Sequence, residues 1–157
     1  AIELARCGAE VVGIDFSDHS NIALKYATEF GRSFDAEVLL CHVIESPDLL
    51  SQLPPGGEFY FPPNLAQAQQ ESAQAQCEKL LKEAGIARGR VLTPAGSPFV
   101  ELVRVAREED ADLIIVGTHG RGAVAHLLLG SVAERVVRKA PCPVLTVRTG
   151  EHEFVMP

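Results

Sequence analysis

Apolar residues fall along this chain in two alternating rhythms. Residues 9–14, 37–44, 90–93, 112–116 and 143–147 are compact, mostly apolar runs of strand length. Between them the apolar positions recur every three or four residues, as on the buried face of a helix. Ala23, Tyr26, Ala27, Phe30 and Phe34 form the first such stripe, behind capping candidates at residues 18–20. Cys77, Leu80, Leu81 and Ala84 form the inner stripe of a helix over residues 64–84, with glutamines on its outer face and Gly85 ending it. Ser97 followed by Pro98 starts a third helix, whose stripe is Phe99, Leu102, Val103 and Ala106. Residues 132–139 read as a fourth. Strands alternating with helix-length crossovers imply an open α/β fold: a parallel sheet with helices on both faces. The unbroken apolar character of residues 37–44 suits a strand buried on both sides.

Such sheets bind ligands outside the carboxyl ends of their strands, where the strand order reverses. Asp15 lies just past the first strand, Val43 at the end of the second and Gly117 just past the fourth, so three separate stretches converge on one rim.

Composition narrows the class. The 157 residues suit one domain, with a core over about 10–148, a loop at 46–63 and a polar tail at 149–157. The chain is 46% hydrophobic, enough for a core, and the absence of Trp makes that core aliphatic. A net charge of -7 argues against general nucleic-acid binding. No run of about 18 apolar residues is present, so no membrane helix is expected. Residues 1–6 lack the basic start and apolar centre of a signal peptide. Cys7, Cys41, Cys77 and Cys142 are dispersed without C-x-x-C or zinc-like spacing, which points to reduced thiols in a cytoplasmic protein. Residues 46–63 hold five prolines together with Phe59, Tyr60 and Phe61, which form either a contact surface or a segment folded back on the body.

The chemistry concentrates after the fourth strand. Gly117, Gly120, Gly130 and Ser131 form the spacing G-x2-G-x9-G-S between a strand and a helix. A glycine-bearing loop entering a helix N-terminus presents backbone N–H groups to an anion. There is no G-x4-G-K-[ST], so a P-loop is absent. Gly120, Gly122 and Ala125 match G-x-G-x-x-A, but after a late strand and with no carboxylate about 20 residues on. Ser131 with Glu134 also reads as a capping box, which is compatible with a phosphate contact. Residues 117–148 carry Arg121, Arg135, Arg138, Lys139 and Arg148 against Glu134 alone. Arg138 and Lys139 suit the helix C-terminus, leaving Arg121 as the side chain placed to reach phosphate. Asp15 is open to two readings, a turn or helix cap or a ligand contact. His42, His119 and His126 have no evident partner in catalysis. No nucleophile with a base, paired carboxylates or metal-ligand cluster is evident in the sequence.

The G-x2-G-x9-G-S loop resembles that of the ATP-binding branch of the universal stress protein family. The similarity extends over about residues 10–148: residues 14–17 resemble the family's strand-one ending, and residues 130–134 with 140–144 its C-terminal signature. It implies a Rossmann-like five-stranded sheet of order 3-2-1-4-5 and a homodimer pairing through the last strand. It further implies ATP, with Mg²⁺ or Mn²⁺ nearby. Asp15 would then contact the adenine and ribose side, and Val43 would bond adenine through its backbone. Gly117, Gly120 and Gly130 would line phosphates and ribose, with Ser131 on phosphate and Val132 beside it. Three functions follow as expectations: a nucleotide-dependent, dimeric stress-response module with unknown protein partners; a slow Mg²⁺-dependent ATPase or phosphotransferase using Arg121 or His119; or a dimeric interaction protein that binds no nucleotide.

Overall fold

In the computed structural model, residues 8–45, 64–119 and 129–148 are described. They alternate strand and helix throughout: β1 (Ala9–Gly13), α1 (Asp18–Phe34), β2 (Glu37–Cys41), α2 (Leu65–Glu83), β3 (Gly89–Leu92), α3 (Pro98–Glu108), β4 (Leu113–Gly117), α4 (Ser131–Lys139) and β5 (Val144–Val147). All neighbouring strands pair in parallel, in the order β3-β2-β1-β4-β5. The order reverses between β1 and β4, so the crevice favoured for ligands opens there, at the carboxyl ends.

Each central strand is buried on both faces and divides its side chains by parity. Val11, Leu39, Cys41, Ile114 and Val116 pack with Leu102, Val105, Ala106, Ala133 and Val136 of α3 and α4. Val12, Val38, Leu40 and Ile115 pack with Ala23, Leu24, Ala27 and Cys77 of α1 and α2. The α1 stripe is turned relative to the expected one: Ser20, Ala23, Leu24, Ala27 and Thr28 are buried, while Tyr26, Phe30 and Phe34 are half-buried. Thr28 fits in the core because its hydroxyl donates to the Leu24 carbonyl at 2.8 Å. Ser17, and not residues 18–20, caps α1, accepting from the Ser20 amide.

Glu10 breaks the apolar rule of the sheet. It lies mid-sheet on the α1 face with 0% exposure, and neither carboxylate oxygen has a hydrogen-bond partner. Gly31 makes room for it. A Cβ at Gly31 would stand 2.8 Å from Val38 Cγ2 and 3.3 Å from Glu10 Oε1. Burial pushes the Glu10 pKa from 4.5 up to about 8, opposed only in part by the nearby Gly31 backbone.

Cys41 and Cys77 are free thiols inside the core, and burial pushes them up to about 12 and about 11. Cys142 is free and half-buried, its pKa also raised, first by desolvation and then by Asp112. These are packing residues rather than reactive ones. Cys7 lies outside the described residues.

Candidate functional site

The turn after β1 builds one wall of the crevice. Ile14 keeps the ladder, donating its N–H to the Cys41 carbonyl at 2.9 Å. Phe16 then takes a left-handed backbone (φ 62°), unusual for a bulky residue, and the chain swings into α1. The Asp15 carboxylate accepts from the Ser17 amide at 3.0 Å and the Ser17 hydroxyl at 2.6 Å. The cap reading of Asp15 is the one seen: its carboxylate organises the turn into α1, and the residue also lines the cleft.

Val43 gains its position from the end of β2. The N–H groups of His42 and Ile44 donate towards β3, to the carbonyls of Leu92 at 2.9 Å and Pro94 at 2.8 Å. Alternation directs the backbone of Val43 the other way, where β1 has already turned off. Beside it, the His42 Nδ1–H donates to the Ile14 carbonyl at 2.8 Å, and the His42 and Phe16 ring centroids lie 4.6 Å apart. Among the described residues, the N–H and C=O of Val43 have no partner, although Val43 is buried. A backbone donor and acceptor without a described partner, at the wall of a cleft, can take a polar occupant.

The opposite wall is the start of α4. The expected capping box does not form. Gly130 is the N-cap, its carbonyl accepting from the Glu134 amide at 2.9 Å, and Ser131 is already helical. Glu134 instead pairs with Arg138 at 2.9 Å, along the helix and away from its cap. Gly130 donates its own N–H to the Thr118 carbonyl at 2.6 Å. A Cβ on Gly130 would come 2.9 Å from that carbonyl, so only glycine fits there without a shift. The donors left at the helix start are the N–H groups of Ser131, Val132 and Ala133, which have no intrahelical partner. The Ser131 hydroxyl, exposed, makes no hydrogen bond to a described residue. Gly117 serves packing: a Cβ there would lie 2.8 Å from the Cβ of His19. It thereby lets α1 start close against β4, where the rings of His19 and His119 meet at 5.3 Å.

Asp15, Val43, Gly117, Gly130, Ser131 and Val132 all line one cleft of about 1000 Å³. Gly120 and Arg121 lie outside the described residues, as do His126 and residues 59–61. The glutamines of α2 depart from expectation. Gln69 and Gln76, with Ser72, border this cleft instead of facing away from the body. Extending the stripe Cys77, Leu80, Leu81 and Ala84 backwards by threes and fours reaches them, so the helical period carried the signal. Glu45 also stands on that side. The cleft is therefore electrically asymmetric, with carboxylates at the β1 and β2 ends and the positive end of a helix at the other. Among the described residues no group of three His, Cys, Asp or Glu side chains could hold a metal, and no helix is long and apolar enough to cross a membrane.

Fold and cleft together define a class: an open, doubly wound α/β protein with a crevice at its switch point, lined by both apolar and polar groups. The chain belongs to the universal stress protein family, whose model matches residues 11–148. A universal stress protein of Methanocaldococcus jannaschii is 35% identical over 143 residues, which span 91% of this chain and 83% of that one. The solved structure of MJ0577, from the same organism, superposes with a TM-score of 0.78 at 31% identity and covers 94% of this chain and 99% of its own. A universal stress protein solved in complex with cAMP superposes with a TM-score of 0.66 at 29% identity, covering 93% and 100%.

Proposed function

We propose that this chain is an ATP-binding regulatory module. The observation that carries the reading is a pair of unmet backbone demands at opposite ends of one cleft. Val43 offers one donor and one acceptor, the pattern that an adenine edge satisfies. The first three amides of α4 offer donors and a positive dipole end, the pattern that phosphates satisfy. Asp15, between them, accepts from a ribose hydroxyl. Gly120 and Arg121 belong to the same phosphate loop in this reading, and Mg²⁺ or Mn²⁺ enters bound to the phosphates. A structurally similar universal stress protein solved in complex with cAMP supports a nucleotide as the ligand. The groups in place hold a ligand, and binding rather than turnover is the function, with the bound state read by protein partners.

Calorimetric titration of folded, nucleotide-free protein with ATP, ADP and AMP should give micromolar ATP binding that weakens as phosphates are removed. Equal affinities would take the phosphates away from α4. No binding would leave the interaction-module reading. The same reading makes the protein a homodimer through β5, an edge strand that pairs only with β4 among the described residues. Sedimentation should give twice the chain mass, and Thr146→Pro, which removes a ladder donor from β5, should shift it towards the monomer; a monomer at all concentrations would refute the pairing.

A further inference from the structure

The last turn of α1, residues 31–34, is the thinly covered part of that helix. Its buried side chains run from Ser20 to Thr28 and stop there, while Arg32 and Ser33 are exposed and Phe34 is half-buried. Two amides close the turn, those of Asp35 and Ala36, both donating to the Gly31 carbonyl. Beneath it lies the buried Glu10 carboxyl, whose oxygens have no partner among the described residues. Two local rules fail together here. An acid stands mid-sheet, and a glycine stands in a helix to admit it, since a Cβ on Gly31 would come 3.3 Å from Glu10 Oε1. Proteins keep such costs where they serve a function. The charged groups of the surrounding elements are engaged elsewhere. On α1, Arg32 pairs with Glu29 at 3.2 Å, and at its end Asp35 pairs with Arg88 at 3.2 Å. On β2, Glu37 pairs with Arg90 at 2.8 Å. Before β4, Asp112 accepts from the Gly8 and Ala9 amides at 2.6 and 3.3 Å. None of them gives Glu10 a partner.

We propose that Glu10 is a pH-sensitive latch under α1: protonated, it lets the last turn close on the sheet; ionised, it opens that turn and reaches water. The proton passes to solvent as the turn opens. The helix gives way at residues 31–34 because its burying contacts end at Thr28. The carboxylate emerges beside Arg32, whose exposed pairing with Glu29 is readily exchanged. The latch requires no ligand, so its test is separate from that of nucleotide binding. Hydrogen exchange of the whole chain, read as protection factors between about pH 6 and 9, provides it. The amides of Asp35 and Ala36 report the turn, and those of Val12 and Ile115, partners across the central strands, report global unfolding. In the wild-type protein the turn should be less protected than the strands. Its protection should fall about tenfold per pH unit up to about pH 8, because each opening releases one proton. Glu10→Gln and Glu10→Met have no proton to lose there and should hold the turn equally protected across the range. Turn amides as well protected as the strands would mean that Glu10 ionises only on global unfolding, which overturns the latch. A weakly protected turn with no pH dependence, or with the same dependence in both variants, is fraying unconnected with Glu10 and overturns it too.

Discussion

Replacing Ser131 by aspartate should lower ATP affinity by about 100-fold or more and leave the protein folded. The new carboxylate would stand at the first helical residue of α4, among the amides proposed to hold phosphate. Two like charges about 4 Å apart near a protein surface repel by roughly 4 kcal/mol per pair, and even with salt screening two orders of magnitude survive. The fold should tolerate the change. Ser131 is exposed, its hydroxyl bonds no described residue, and an acid in the first turn favours a helix by about 0.3–1 kcal/mol. The test pairs calorimetry with a thermal melt of the unliganded variant. Intact folding with ATP affinity near wild type would remove phosphate from the α4 N-terminus. Gly130→Asp is a less clean version, because its Cβ would press on the Thr118 carbonyl and disturb the loop closure itself.

Stability should fall as pH rises from 5 to 9, and Glu10→Gln should remove much of that fall. Glu10 has a folded-state pKa of about 8 against 4.5 when unfolded, so the folded chain keeps a proton that the unfolded chain releases. Unfolding therefore releases a proton between those two values, and rising pH favours it across that window. Below about pH 4.5 both states are protonated and the effect vanishes; above about 8 it is complete. The full effect is on the order of 3 kcal/mol once relaxation around the charged group is allowed for. In a chain of this size that corresponds to roughly 6–12 °C in melting temperature. Glutamine copies the shape and neutrality of the protonated acid. The difference between variant and wild-type melting temperatures should be near zero at pH 5 and strongly positive at pH 9. A difference independent of pH would mean that Glu10 is already ionised in the fold. Glu10→Met, which removes the two unpartnered oxygens, should be the more stable chain at both values.

Much of the architecture is legible in the chain because its causes are local. The apolar runs at residues 37–44 and 112–116 and the three-four stripes of α2 and α3 set element type, and alternation sets a parallel sheet. The order β3-β2-β1-β4-β5, expected from the family resemblance, is the one observed. Residues at the carboxyl ends of strands could be picked out as cleft candidates. Asp15, Val43 and Gly117 do line one cleft, with Gly130, Ser131 and Val132. Roles were harder to read than places. Ser131 and Glu134 have the spacing of a capping box, yet Gly130 caps α4. The Thr118 carbonyl holds Gly130 from outside the helix, and Arg138 draws Glu134 along it. The glutamines of α2 look solvent-directed in a helix of low apolar content, because nothing local says where the helix leaves the sheet.

By itself the sequence determined the periodicities, and through them the α/β order and the rim on which a ligand site could form. Periodicity is a property of neighbouring residues and needs no knowledge of what they pack against. The tertiary structure alone decided which polar groups are left without partners. Glu10 is orphaned because β2, β4 and α1 close over it. Among the described residues, the Val43 backbone is unpaired because β1 turns away at Phe16, while the neighbouring Ile44 pairs with Pro94 and Ala95 beyond β3. Gly117 must be glycine because His19 of α1 arrives against it. Each of these depends on segments far apart in the chain meeting at one point, and that meeting is set by packing rather than by local pattern.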